Sequence, residues 1–352
     1  MASIPVANIY YLLCYAWNEF APLQIARHAE EEFRDTLHLF SRQLIIGLRS
    51  LHRRGLETGY VPLEESTSAP RGRILMAPSI RTMTMQPAKL YCSFDQMSAN
   101  IQSNQILKAT VTRLLTLQEL ESPVRRDLRH ANSLLRDVHD IELNARVFHA
   151  VRLHQNNLLY SFLLTICRFL YECMEAQDRP GQYRFREVDR DEKRMRRVFE
   201  KFVLNFFARR QKTFRVKSER MNWFATAGEG SNLDFLPAMS TDASLRSINR
   251  TIIVECKYTK TLFQSRFGAE KLRSTHLYQL SAYLHNLEHN GGADRVAEGI
   301  LLYPTAGRSL DQSYRIHGHL VRVSTLDLNQ PWKGIEDQML ALIRSQPDKI
   351  SL

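Results

Sequence analysis

The chain is 352 residues long, 44% hydrophobic and 24% charged, and its 48 Lys plus Arg against 37 Asp plus Glu give a formal net charge of +11. That length allows two domains with full apolar cores, and no repeat or low-complexity tract interrupts it. No run of about 18 apolar residues occurs, and no basic start leads into a plain apolar stretch, so membrane insertion and export are set aside and a cytoplasmic protein is expected.

Near the start, Tyr10, Tyr11, Tyr15 and Trp17 stand beside Leu12, Leu13 and Cys14 in one helical stretch. Such rings can stack on bases, but their apolar company assigns them to a core or to a partner-docking face. Glu31 to Arg54 sets Phe33, Leu37, Phe40, Leu44, Leu48 and Leu51 on one stripe and stops at Gly55, the pattern of a core helix with a glycine stop. Short strands are expected at Tyr60–Val61, Arg73–Met76 and Lys89–Phe94. Helices follow over Ser98–Leu117, Pro123–Val138 and Asn156–Met174, the last apolar all round, as in a helix buried between neighbours. Asp178–Gly181, DRPG, breaks the helical pattern. The division therefore falls there, with a helical domain carrying a small β unit over residues 1–180 and a second domain over 181–352.

In the second domain, Arg190–Arg210 reads as a helix. Its basic groups, Arg194, Arg196 and Arg197, then Arg209, Arg210 and Lys212, are expected to be solvated faces, although a field of this sign suits a nucleic-acid partner. Met239–Arg246 and Thr251–Tyr258 read as two strands joined by Ser247-Ile248-Asn249-Arg250, a short polar turn. If the turn centres between Ile248 and Asn249, Asp242 lies opposite Glu255. Side chains alternate along a strand, so Thr251, Ile253, Glu255 and Lys257 share one face.

Two carboxylates opposed in this way repel by about 4 kcal/mol at 4 Å in an effective dielectric near 20. A hard dication reverses that sign, and Mg²⁺ takes carboxylate oxygens together with water and phosphate. Asp242 and Glu255 are thus candidate metal ligands. Lys257, two residues on, is placed to hold a water or to meet charge developing on a phosphate. Phe267–Glu288 has a helical leucine period through Leu272, Leu277, Leu280, Leu284 and Leu287, with Gln279 and Tyr283 four apart on one face. Gly299–Tyr303, GILLY, reads as a buried strand ended by Pro304.

Other chemistries find little support. His317 and His319 have no Cys or carboxylate partner at metal spacing and are expected on a strand surface. The five cysteines lack paired spacing and are expected reduced and buried, with Cys256 pointing into the sheet. No Walker-type phosphate loop is present, so GTP is not expected to bind this chain.

Asp242, Glu255-x-Lys257 and Gln279-x-x-x-Tyr283 together resemble the PD-(D/E)xK nucleases, with Thr241 where the name-giving proline would stand. Across its length the chain resembles the McrC family, the nuclease subunits of McrBC modified-cytosine restriction systems. The segments carrying that likeness are IPVANIYYLLCYAW at Ile4–Trp17, HRRGLETGY at His52–Tyr60, RGRI at Arg71–Ile74 and HLYQLSAYL at His276–Leu284. The resemblance implies an α/β, overall α+β, architecture whose C-terminal domain has a central mixed sheet flanked by helices. It implies Asp242, Glu255 and Lys257 as a nuclease triad, with Gln279 in the site and Glu200 and Tyr283 supporting it. It further implies Mg²⁺ as cofactor, double-stranded DNA as substrate, and a hexameric AAA+ GTPase partner resembling McrB that binds the GTP and is stimulated by this subunit. Two other functions stay open: an inactive adaptor that only activates the motor, and a free-standing nuclease.

Overall fold

In the computed structural model the described residues are 4–19, 33–83, 88–151, 157–177, 183–259, 263–266, 269–305 and 309–344. They form two compact units. Helix α1 (Val6–Trp17) groups with the residues from Glu187 onward, and Leu37–Arg186 make up the other unit. The DRPG break at 178–181 lies outside the described residues. The division itself falls between Arg186 and Glu187, and α1 belongs with the later residues.

The Leu37–Arg186 unit runs through α2 (Thr36–Arg54), β1 (Gly59–Thr67), β2 (Arg73–Ile74), α3 (Met76–Met83) and β3 (Leu90–Ser98). It continues through α4 (Gln102–Thr116), α5 (Ser122–Ser133), α6 (Ala145–Ala150), α7 (Leu158–Cys173), β4 (Met174–Ala176) and β5 (Tyr183–Phe185). The stripe on α2 is buried from Leu37 to Leu51, as its period requires, and α7 buries Phe162, Leu163, Ile166 and Leu170 completely. Strands β1 and β3 pair over nine residues, from Gly59 opposite Ser98 to Thr67 opposite Leu90, and are longer than expected. Tyr60, Pro62, Leu63 and Glu64 are all exposed, so the inside–outside contrast that marks a strand in sequence is weak there. The strand expected at Arg73–Met76 stops at Ile74, and Met76 opens α3. Within RGRI, Gly72 takes φ +68, where a Cβ would collide with Ser93 O, and Arg71 lies 3.8 Å over the Phe94 ring.

The other unit is built on α8 (Glu192–Arg210) and the strands β6 (Arg215–Lys217), β7 (Arg220–Met221), β8 (Met239–Ser240), β9 (Ala243–Arg246) and β10 (Thr251–Cys256). A hairpin of β11 (Phe263–Arg266) and β12 (Ala269–Leu272) leads into α9 (Ser274–Glu288). Then come β13 (Glu298–Thr305), β14 (Asp311–Ile316), β15 (His319–Asp327) and α10 (Trp332–Ile343). Among the described residues six strands form one mixed sheet, in the order β14-β15-β13-β10-β9-β6, with β10, β13 and β15 mutually parallel. This is the central mixed sheet flanked by helices that the sequence leads one to expect.

Elements on either side of the site differ from the sequence reading. The helix expected from Phe267 begins only at Ser274, because the residues before it pair as β11 and β12. The leucine period alone does not distinguish β12 from a first turn of the helix. The GILLY strand continues through Pro304, which pairs with Leu326 beyond the last contact with β10. There no second neighbour requires an N–H donor, so proline is tolerated.

The α9 face of the sheet buries Ile253, Leu301, Tyr303, Val321 and Val323 against Leu280, Leu284 and Leu287. Each such residue contributes about 1.5–3 kcal/mol. Helix α8 packs against β9 and β10 and carries Phe199, Phe202, Phe206 and Phe207, all fully buried. Helix α1 lies on α8: Tyr15 meets Phe202 and Phe206, Tyr11 stacks on Trp332 at 4.7 Å, and Asn8 Nδ2 donates to Leu328 O and Gln330 O at 2.8 Å each. These aromatics are therefore core. Two of the arginines expected on solvated faces are tied down, Arg210 to Glu336 at 2.7 Å and Arg209 to Asn18 at 2.5 Å. Among the described residues no helix is long and apolar enough to cross a membrane.

At Gly299 an added Cβ would lie 2.9 Å from both Leu280 Cδ2 and Leu284 Cδ1. Gly299→Val is therefore expected to lower unfolding free energy by about 1–3 kcal/mol, read from urea denaturation of the full chain.

Candidate active site

Strands β9 and β10 pair in the register Arg246–Thr251, Leu245–Ile252, Ser244–Ile253 and Ala243–Val254. One step further brings Asp242 level with Glu255. The strand expected to run unbroken from Met239 to Arg246 is interrupted at Thr241 and Asp242, and this break turns the aspartate side chain back onto β10. Its Oδ2 accepts from the Cys256 N–H at 2.8 Å. Thr241 holds the break: its N–H donates to Glu219 O at 3.0 Å, and its Oγ1 accepts from Glu219 N–H at 3.0 Å. A proline here would lose both bonds.

Glu255 is 2% exposed. Its Oε1 accepts from Lys257 Nζ at 2.6 Å, while its Oε2 is buried with no hydrogen-bond partner among the described residues. Lys257 Nζ also donates to Gln279 Oε1 at 2.7 Å. The amide of Gln279 passes the chain on, Nε2 donating to the Tyr283 hydroxyl at 2.7 Å, and that hydroxyl donates to Ser240 O at 2.9 Å. The relay starts at β10, crosses α9, and returns to the strand just before Asp242.

These side chains line a cavity of about 300 Å³ with Glu200, Glu192 and Arg196 from α8, and with Arg273 and His276 at the start of α9. All six of the residues singled out from sequence thus belong to one neighbourhood: Asp242, Glu255, Lys257, Gln279 and Glu200 on the cavity, and Tyr283 one hydrogen bond behind it. Sequence reasoning passed over Glu192 and His276, and expected Arg196 on a solvated face where the structure sets it on the cavity. Helical spacing was the signal available, since Glu192, Arg196 and Glu200 recur every four residues on α8, and His276, Gln279 and Tyr283 recur at three and four on α9. His276 Nδ1 lies 2.9 Å from the Tyr303 hydroxyl, and burial beside Lys257 and Arg273 pushes its pKa down to about 4. It is therefore a neutral imidazole at pH 7. Cys256 is buried, and desolvation raises its thiol pKa well above the ordinary value, which leaves it unreactive.

Burial also raises the carboxyls. Desolvation, then the charge of Asp242, lifts Glu255 to about 7 against the opposing pull of Lys257. Asp242 is raised chiefly by desolvation despite the Cys256 N–H, and Glu200 by desolvation and by Asp242. Four carboxyls, Asp242, Glu255, Glu200 and Glu192, line the cavity with Lys257, Arg196 and Arg273, and one buried carboxylate oxygen, Glu255 Oε2, has no donor among the described residues. That is the donor set a hard dication fits: Asp242 and Glu255 would hold it, with Glu255 Oε2 as a free ligand atom.

The chain matches the family described as McrBC 5-methylcytosine restriction system component over residues 7–304. It is 31% identical over 337 residues to the Escherichia coli (strain K12) type IV methyl-directed restriction enzyme EcoKMcrBC, covering 96% of each chain. In fold it is similar to a chain in the refined half-complex from the tetradecameric assembly of Thermococcus gammatolerans McrB AAA+ hexamers with bound McrC. The TM-score is 0.62 and the identity 15%, over 96% of this chain and 75% of that one.

A carboxyl whose pKa is raised in the fold stabilises that fold while it stays protonated, and the contribution is lost as pH rises through the folded value. In EDTA, the melting temperature of Glu255→Gln relative to wild type should therefore climb as pH goes from 4.5 to about 7. Adding Mg²⁺ should raise the wild-type melting temperature and leave the variant nearly unmoved. A difference that is flat with pH would remove the electrostatic account.

Proposed function

This chain belongs to the family of McrBC 5-methylcytosine restriction system components, and we propose that it is the nuclease subunit of such a system. In this reading it is a Mg²⁺-dependent endodeoxyribonuclease of the PD-(D/E)xK type, cutting DNA that carries modified cytosine when joined to a GTP-hydrolysing AAA+ motor. The observation that carries the reading is Lys257, bonded to Glu255 and Gln279 at 2.6 and 2.7 Å in a cavity walled by Asp242, Glu255 and Glu200.

Mg²⁺ bound there would supply Lewis-acid charge to a scissile phosphate and lower the pKa of a water. Asp242 and Glu255 contribute hard oxygen donors, and Glu255 must first release the proton that its surroundings favour, so metal affinity rises with pH. Lys257 holds the attacking water and meets the charge that develops on the phosphate. Gln279 fixes the ammonium by accepting from it, and Tyr283 fixes the Gln279 amide in the orientation that leaves its oxygen toward Lys257. Arg196, on the cavity wall, is the cation placed to meet a neighbouring phosphate. The cavity of about 300 Å³ has room for a phosphodiester group with several waters, each of about 30 Å³.

The motor partner follows from the assembly to which the fold is similar, McrB AAA+ hexamers with bound McrC. In this reading the Leu37–Arg186 unit docks on that motor and stimulates its GTPase, and the exposed Tyr60, Met76, Ile80 and Met97 are apolar side chains free for contact. The modified base would be read by the partner.

The test is cleavage of methylated plasmid in Mg²⁺ and GTP by the full chain with its AAA+ partner. Asp242→Ala and Lys257→Ala are each expected to lose roughly 10²–10³-fold or more in rate, while GTP hydrolysis by the complex is unchanged and EDTA stops cutting. Undiminished cutting by both variants would move the active site elsewhere. No cutting by wild type beside stimulated GTP hydrolysis would make the chain an adaptor.

A further inference from the structure

The other end of α9 carries a second constellation. His285 and Glu288 stand three apart on its last turns, and His319 comes up from the start of β15. His285 Nδ1 lies 3.1 Å from Glu288 Oε1, and His319 Nε2 lies 2.8 Å from the same oxygen. One ligand atom from each residue fits within 4.8 Å of the others. His319, expected on a strand surface, is 3% exposed, and its Nδ1 lies 2.8 Å from Ala297 O. A carbonyl can only accept, so Nδ1 carries a hydrogen and Nε2 is the ring nitrogen that faces Glu288, with a proton between them. A backbone carbonyl on the far ring nitrogen is how metal-bound histidines are held in tautomer and orientation.

We propose that His285, Glu288 and His319 form a second cation site, one for Zn²⁺ and similar nitrogen-seeking transition dications. Two imidazoles and one carboxylate suit such ions, whereas Mg²⁺ requires oxygen ligands, so this site and the Asp242–Glu255 pair select different metals. Bonds of about 2.0–2.2 Å in a tetrahedron put ligand atoms about 3.3 Å apart. The measured separations to Glu288, 3.1 and 2.8 Å, are shorter than that by up to about half an ångström, so the part-exposed Glu288 carboxylate has to draw back slightly and the exposed His285 ring has to swing. The proton shared between His319 and Glu288 leaves to solvent as the ion enters, and the fourth position is open to water on the exposed side. The ion would clamp the C-terminal turn of α9 to β15. It would sit about 14 Å along the helix from His276, nine residues at 1.5 Å each, and so outside the reacting cavity. This site stands apart from the nuclease reading.

The experiment uses the full chain with Asp242→Asn and Glu255→Gln, which silences the carboxylate pair, stripped with EDTA and titrated with Zn²⁺ by equilibrium dialysis. One Zn²⁺ per chain is expected, with a melting temperature that rises with Zn²⁺, does not move with Mg²⁺, and falls back in EDTA. His285→Ala and Glu288→Gln added singly should weaken Zn²⁺ binding by about 10²-fold or more and keep the metal-free melting temperature, which separates lost ligation from lost fold. Co²⁺ should give the intense visible absorption of a tetrahedral nitrogen-ligated ion, absent in both variants. Less than stoichiometric binding in the parent, or equal Zn²⁺ affinity in His285→Ala, overturns the proposal.

Discussion

The antiparallel register between β9 and β10 is the constraint on which the site rests. It sets the aspartate of a broken strand against the buried glutamate of its neighbour, and no residue of either strand can shift without moving both. Repulsion between those groups opposes folding, and the structure offsets it locally with the Cys256 N–H and the Lys257 ammonium. What holds the register lies behind the carboxylates. Arg246 bridges Glu219 at 2.8 Å and Asp294 at 2.5 Å, and Thr251 donates to the same Asp294 oxygen at 2.7 Å. Acidic groups in that network are satisfied by cations and hydroxyls, and their pKa values are lowered, as for Glu219 and Asp294. The site carboxyls are raised. The same residue types thus hold the sheet on one side of β9 and stay poised for a ligand on the other.

Helix α9 covers one face of the sheet and carries part of the site. Its leucines pack on the strands, and Gly299 lets it approach β13 closely enough that Gln279 reaches Lys257. Packing precision is therefore transmitted to the ammonium through one amide and one phenol, and the position of Lys257 depends on the contact of Gly299 with Leu280 and Leu284, the residue beside Gln279 and one just over a turn beyond it.

Much of the site was legible in the sequence because it is local: a short turn fixes which residues face one another, and alternation fixes which face they share. The pairing of Asp242 with Glu255 needed no more than the turn centre at 248–249. Residues brought from α8 were harder to read. Glu192 and Arg196 look like any charged helix face until the helix has a sheet to pack on. His319 reads as a surface residue because its partners are Glu288 on α9 and Ala297 ahead of β13, which no spacing in its own neighbourhood discloses. Strand β12 reads as the start of the helix because Leu272 falls on the leucine period that α9 continues. The grouping of α1 with residues beyond 187 was not legible either, since its aromatic face fits any apolar partner.

That last arrangement bears on how the chain is made. Asn8 is bound to the carbonyls of Leu328 and Gln330, more than 300 residues later, and Tyr11 stacks on Trp332. During synthesis the first helix emerges with its apolar side bare, finds its main partner only when α8 has been made, and completes its contacts only when Leu328 to Trp332 follow. The segment from Leu37 to Arg186 has its own core and can close in the meantime. At an elongation rate of about 5–20 residues per second, the last of the first helix's contacts become possible tens of seconds after the helix itself has been made.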